Sequence, residues 1–290
     1  MKNLGKIGVL SGLLLASPAY GDLIIYEGFE TPGDYTDGVD LAASTDPTAG
    51  TGFTTAWGNT GAANALRGSN GGLNYTDSNG ATLATTDGGA FKVGGTRADS
   101  YFRSFALTPT PTAGSKLWMS MIFNRDSANK NWGVTLDAGA VNGNGGFGFG
   151  EENDTSAPII SAVGANIQGS IGNRVEVGNG STVFVVGRVT FDATDIGGSP
   201  TMDVWVNPDL DDDLASVARG GGDSTITRSY SGSASTESLV IYSHQDNAIT
   251  FDEIRVGTTL ADVVPLVPEP GSLMLALAGS TMLLARRRKA

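Results

Sequence analysis

The chain has 290 residues, with 18 Lys and Arg against 30 Asp and Glu, 42 Gly, no Cys and a single His. The lack of Cys excludes a disulfide scaffold and a thiol enzyme, and one His (His244) excludes a multi-His metal site and leaves little for His-based acid–base work. A net charge of −12 repels nucleic acid and anionic lipid, and Gly at about twice its usual share between short apolar runs has the texture of many turns joining short strands.

The N-terminus opens with cationic Lys2 and Lys6, then an apolar run from Ile7 to Ala16. Ala19 and Gly21 supply small residues at the −3 and −1 positions of a processing site. This pattern predicts a secretory signal peptide over residues 1–21. Cleavage is expected after Gly21, with the bond after Ala19 as the alternative.

Residues 22–264 read as one all-β domain. The predicted strands are short, rich in β-branched and aromatic residues, and bounded by Gly, Asn, Asp or Pro. They fall at Leu23–Phe29, Ala90–Val93, Tyr101–Leu107, Lys116–Phe123, Trp132–Leu136, Phe147–Gly150, Arg174–Val177, Thr182–Phe191, Met202–Val206, Ser238–Ser243 and Ile249–Val256. In Lys116–Phe123 one face carries Leu117, Met119, Met121 and Phe123, and the other Trp118, Ser120 and Ile122. Val183, Val185, Val189 and Phe191 likewise share a face. Such alternation suits a sheet packed on a second sheet. No internal segment keeps a 3.6-residue apolar period over three turns. The fold expected is a single antiparallel β-sandwich of jelly-roll type, with an N-terminal signal helix and a short C-terminal hydrophobic helix.

Two stretches are not strand-like. Thr31 to Gly88 is rich in Gly, Thr, Asn and Asp, and predicts long loops with short edge strands. Asn207 to Gly222 is acidic, then Gly-rich, and reads as a surface loop.

Residues 265–271 form a Pro-rich linker holding Pro268, Glu269 and Pro270. The prolines hold the chain extended and present Glu269 in an accessible segment. An apolar run of 14 residues follows, Ser272 to Ala285, and ends in Arg286, Arg287, Arg288 and Lys289. As a helix the run would be about 21 Å long, short for a bilayer core of about 30 Å. The basic cluster would remain on the cytoplasmic side. A marginal anchor of this kind suits a transient stage.

The ordered Pro-Glu-Pro, short apolar helix and Arg cluster resemble the PEP-CTERM sorting signal, whose segment is also called an ice-binding protein C-terminal domain. The resemblance covers about residues 267–289. It implies recognition by an exosortase-type membrane transpeptidase, cleavage near the motif and an association with exopolysaccharide and biofilm. Residues 1–21 and 271–290 hold six of the 18 Lys and Arg and none of the 30 Asp and Glu, so the exported part would carry a net charge of −18.

A second resemblance lies in the ectodomain. Tyr26–Glu30 (YEGFE), Gly187 to Pro208 and Ile249 to Val263 (ITFDEIRVGTTLADV) look like concanavalin A-like, LamG-type jelly rolls. The likeness implies that the first and last strands pair, and that the wide sheet face is a carbohydrate surface.

No catalytic signature stands out. Asp209, Asp211, Asp212 and Asp213 lack the sharp-turn Gly and downstream bidentate Glu of an EF-hand, and read as a solvated acidic loop. Glu151, Glu152 and Asp154 read as a polar rim. The Glu-x-Asp-x-x-Glu strand motif of jelly-roll endoglucanases is absent. Asp252 and Glu253 are adjacent on a predicted strand, so alternation should point them to opposite faces. His244 has no Ser/Asp partner pattern, and no Gly-x-Ser-x-Gly elbow occurs. Gly139 to Gly150 lacks the Lys-Ser/Thr of a phosphate loop. Trp118 and Trp205 read as core, and Trp57, in a loop, is the better candidate for stacking on a sugar. No regular Thr-x-Thr array suggests ice binding.

The expectation is therefore a non-enzymatic, exported surface or matrix protein, with no cofactor, catalytic residue or metal ligand. Its partners would be the secretion translocon, the exosortase-type enzyme and an extracellular polysaccharide, and not nucleic acid. A jelly-roll glycoside hydrolase and a purely structural biofilm component are the alternatives.

Overall fold

The computed structural model describes residues 21–29, 35, 39–43, 50–59, 65–68, 72–85, 90–93, 99–106, 112–125, 132–137, 147–151, 159–164, 175–178, 180–191, 201–210, 214, 225–229, 238–243 and 249–265. Two antiparallel sheets face one another. The first runs β13 (Thr225–Ser229), β12 (Thr201–Val206), β11 (Thr182–Thr190), β6 (Lys116–Arg125), β15 (Ile249–Gly257), β4 (Ala90–Val93), β3 (Ala65–Gly68), with β1 (Leu23–Glu27) also on β15. The second runs β10 (Val175–Glu176), β9 (Ile159–Gly164), β8 (Phe147–Glu151), β7 (Trp132–Asp137), β14 (Ser238–Ser243), β5 (Asp99–Ser104), β2 (Gly58–Asn59). This is the β-sandwich read from the sequence.

Alternation explains the layers. Leu117, Met119, Met121 and Phe123 of β6 and Val183, Val185 and Val189 of β11 point inward. They meet Trp132, Val134 and Leu136 of β7 and Leu239 and Ile241 of β14 in one buried cluster. Trp132 packs on Phe123 and Phe251, with centroids 4.8 and 5.5 Å apart.

β15 closes the first sheet and serves two partners in succession. Ile249–Phe251 pairs with β4, and Ile254–Gly257 pairs with β1. The first and last strands thus pair, with Tyr26 opposite Arg255 and Glu27 opposite Ile254. Between the two partners the register slips at Asp252–Arg255, and Glu253 takes a left-handed φ of 52°. That conformation is uncommon for a residue with a Cβ.

Each of the eleven predicted strands contains or overlaps a strand of the structure. Of Arg174–Val177, Val175–Glu176 is strand and Val177 is not, while Arg174 lies outside the described residues. β2 and β3 supply the short edge strands expected within 31–88. β9 and β13 were not anticipated, since IISAVG and TITRS carry little alternating apolar pattern. A four-residue helix, α1 (Leu260–Val263), also appears; Thr259 N donates to the Asp262 carboxylate at its start.

The sorting motif Pro268, Glu269 and Pro270, the basic residues Arg286, Arg287, Arg288 and Lys289, and residues 1–20 lie outside the described residues. Among the described residues no helix is long and apolar enough to cross a membrane.

Candidate functional site

The outer face of the first sheet is closed by its own connections. Trp118, Ile122, Phe184, Val186 and Trp205 point away from the sandwich interior and form a second buried cluster with Tyr75, Leu83, Leu210, Leu214 and Val263. These last five come from the segments over the sheet. Trp118 and Trp205 stack at 5.9 Å and 18°. Arg188 lies 5.6 Å from the Trp118 ring and 5.2 Å from the Trp205 ring, and pairs with Asp203 at 2.8 Å.

The covering loops are tied to each other. Asp77 Oδ1 accepts from Asn79 N and Ala81 N, a local turn, while Oδ2 accepts from Leu210 N at 2.7 Å. Ser78 donates to Asp209, and Tyr75 donates to the Pro208 carbonyl. These backbone donors, Leu210 N foremost, hold the Asp77 carboxyl below its ordinary range. Burial, then the Asp77 and Asp209 charges, push the Tyr75 hydroxyl up to about 12. In the predicted surface loop 207–222 the expectation fails at Leu210 and Leu214, which are buried against the second cluster; residues 211–213 and 215–222 lie outside the described residues.

Three buried carboxylates surround the slip in β15. Glu27 faces inward and accepts from Phe29 N, Tyr35 and Arg103. Burial pushes its carboxyl up, and these donors pull against that rise. Glu253 accepts from Tyr26 at 3.1 Å and Arg255 at 2.7 Å. Asp252 accepts from Leu73 N at 2.6 Å and Glu253 N at 2.8 Å. Burial, then the charge of Glu253, pushes Asp252 up to about 8.

The expected opposition of Asp252 and Glu253 is overturned. Asp252 stands opposite Ile122 of the second cluster, and Glu253 meets Tyr26 and Arg255 on that same outer side. The bulge breaks the two-residue alternation on which the expectation rested. A raised carboxyl is a general-acid signature. Here, however, Asp252 and Glu253 are both fully buried, and each Asp252 oxygen already accepts a backbone N–H.

The second sheet's outer face is built differently. Strand register sets Gly148, Thr135, Val240, Phe102 and Gly58 in one row across β8, β7, β14, β5 and β2. Gly150, Gly133, Tyr242 and Ser100 occupy the next row. β7 and β8 approach so closely that a Cβ at Gly148 would strike the Val134 carbonyl and one at Gly150 the Trp132 carbonyl. Only Gly fits these positions, so two adjacent places on the face carry no side chain. The Phe102 ring fills the space a side chain at Gly58 would need. Val240 is buried, yet stands apart from both apolar clusters. Thr135 is 2 % exposed, and among the described residues its Oγ1 has no hydrogen-bond partner. A buried hydroxyl without a partner is uncommon and calls for an explanation.

Of the aromatic candidates, Trp118 and Trp205 are core, as read from the sequence. Trp57 is not a loop platform. It is buried, stacks on Phe29 at 6.3 Å and donates to Tyr35 Oη at 3.1 Å. His244, Glu152, Asp154, Asp211, Asp212 and Asp213 lie outside the described residues. Among the described residues no group of three or more His, Asp or Glu is placed to hold a metal ion. Sequence reasoning missed Thr135, because one threonine in TrpGlyValThrLeu carries no signal until its register partners are known.

No family model matches the sequence, and no curated protein is similar to it. Among solved structures the chain is similar to the botulinum neurotoxin serotype D binding domain, with 8% identity and a TM-score of 0.41 over 82% of this chain and 48% of that one. It therefore spans about half the length of that domain. It is also similar to lectin II from Ulex europaeus, with 13% identity and a TM-score of 0.34 over 62% of this chain and 90% of that one. A third likeness is the metal-free carbohydrate recognition domain of Emp46p, with 8% identity and a TM-score of 0.38 over 76% of this chain and 94% of that one.

Proposed function

We propose that this chain is an exported, non-enzymatic surface or matrix protein that binds polysaccharide across the outer face of its second sheet. The carrying observation is the contrast between the two outer faces. One is filled by the protein's own loops. The other carries Gly148 and Gly150, which present no side chain, beside the buried and unpartnered hydroxyl of Thr135. Binding uncovers this buried row, after which a sugar hydroxyl partners that Oγ1 and a strand without side chains lets a ring approach the backbone. The net negative charge favours neutral or amine-bearing polymers over anionic ones.

Delivery follows the two ends of the chain. The signal-like start leads to the secretion translocon. Pro268, Glu269 and Pro270, with the helix and Arg286 to Lys289, hand the protein to an exosortase-type transpeptidase. That enzyme removes the tail and leaves the domain at the cell surface or in the matrix.

The binding clause is tested by pull-down of the full chain with neutral, cationic and anionic polysaccharides. Saturable retention on a neutral or cationic polymer, lost in Thr135→Val, is expected. No retention on any polymer would leave a purely structural matrix role. The sorting clause is tested by mass spectrometry of the surface form. Loss of the residues beyond the motif is expected, and an intact Arg286–Ala290 end would refute it.

A further inference from the structure

The cover over the first sheet is held by two carboxyl groups in opposite electrostatic settings. Asp77 grips Leu210 N and its own turn as an anion. Asp252 grips Leu73 N, the first anchor of the covering segment Leu73–Ala84, from a fully buried position. The nearby acids have cations: Arg103 meets Glu27 and Arg255 meets Glu253, at 2.8 and 2.7 Å. Asp252 has two backbone N–H groups and, among the described residues, no cation in ion-pair contact. A third buried charge in this cluster would stand uncompensated, and such a charge is costly.

We propose that Asp252 is a proton-linked latch: as the neutral acid it keeps Leu73–Ala84 seated on the second cluster, and its ionisation lets that cover lift and bares the Trp118–Trp205 face. The groups around it bear this out. On β15 it is flanked by Glu253, a like charge one residue away, and by Arg255, already engaged by Glu253. From β1 come Tyr26, which donates to Glu253, and Glu27 across the sheet. Behind Glu27 stand Arg103 of β5 and Tyr35. β6 presents neutral Ile122, with Asn124 beyond it. On β4, Lys92 stands opposite Thr250, two positions along β15. From the cover comes Leu73, whose N donates to it.

Lifting the cover hydrates Asp252 and releases its proton to water. The bond from Leu73 N favours the anion, but burial and the charge of Glu253 outweigh it and raise the carboxyl, which sets the sign. The closed state is favoured fully below about pH 4, and the advantage is lost as pH rises to about 8. Arg255 is a second tether, through its 3.4 Å bond to the Ala84 carbonyl. Asp252 holds the Leu73 end, so lifting begins there.

Amide hydrogen exchange of the full chain between pH 5 and 9, corrected for the intrinsic rate, tests the latch. Opening of the Leu73–Ala84 segment should rise up to about tenfold per pH unit and level off above about pH 8. In Asp252→Asn the slope should vanish. A flat profile in the wild type, or an unchanged slope in Asp252→Asn, overturns the latch. If Asp252→Asn does not fold, Glu253→Gln replaces it. Removing the neighbouring charge should move the levelling point to lower pH, and an unmoved point overturns the latch equally.

Discussion

The two outer faces of this sandwich differ in what the sequence spends on them. The first sheet puts Trp118, Ile122, Phe184 and Trp205 outward, and must then fold Tyr75, Leu83, Leu210, Leu214 and Val263 over them. The second puts Gly133, Thr135, Gly148 and Gly150 outward, and these are buried too. The faces therefore differ in what fills them, large apolar side chains on one and glycine beside an unpartnered hydroxyl on the other, and the difference predicts separable effects. Substitutions on the sealed face should cost stability and spare binding. Those on the other face should do the reverse.

The largest effect is expected at Trp118. Trp118→Ala empties the centre of the second cluster and should cost about 3–5 kcal/mol in urea unfolding, with retention on polysaccharide unchanged at a temperature where the variant stays folded. Asp77→Ala removes the tie between the covering loops. It leaves Leu210 N buried without an acceptor and should cost about 1–3 kcal/mol, with faster exchange in Pro208–Leu210. The pH dependence comes next. Because Asp252 is raised to about 8, its contribution is full below about pH 4 and falls as pH rises, by up to about 1.4 kcal/mol per pH unit. Asp77 has the opposite sign, since its lowered carboxyl stabilises above about pH 4 and is lost in acid. Denaturant midpoints against pH should therefore fall towards both ends, and Asp252→Asn should remove the alkaline limb alone. The smallest stability effect belongs to Thr135→Val. It replaces an unsatisfied hydroxyl by a methyl and should leave stability within about 1 kcal/mol, while abolishing retention. A large loss of stability there would mean that Thr135 is ordinary core, and the two faces would no longer differ.

The layers were legible in the sequence because alternation is local. Leu117, Met119, Met121 and Phe123 declare their shared face without reference to any other strand. The pairing of β1 with β15 also followed from the YEGFE and FDEIRVG resemblance. What was not legible depends on distant partners. Trp57 sits among Gly, Thr and Asn, so it read as an exposed loop aromatic, yet Phe29 and Tyr35 bury it from other parts of the chain. Asp252 and Glu253 obey alternation in any undistorted strand. The bulge that puts them on one side arises because β15 changes partner from β4 to β1 at that point, a fact of topology. Leu210 and Leu214 are two apolar residues in an acidic run, too few to announce a cover, and they become one only because Trp118 and Trp205 wait beneath. The orphaned hydroxyl of Thr135 is visible only once its row across the sheet is assembled.

The central claim is that the second sheet's outer face, and not the first's, meets the ligand. The most direct measurement is a hydrogen-exchange footprint of the full chain with and without a saturating polysaccharide that the pull-down identifies. Slower exchange confined to β7, β8 and β14, with Leu73–Ala84 and Pro208–Leu210 unchanged, is the predicted result. A footprint on those covering segments, with β7, β8 and β14 unaffected, would contradict it.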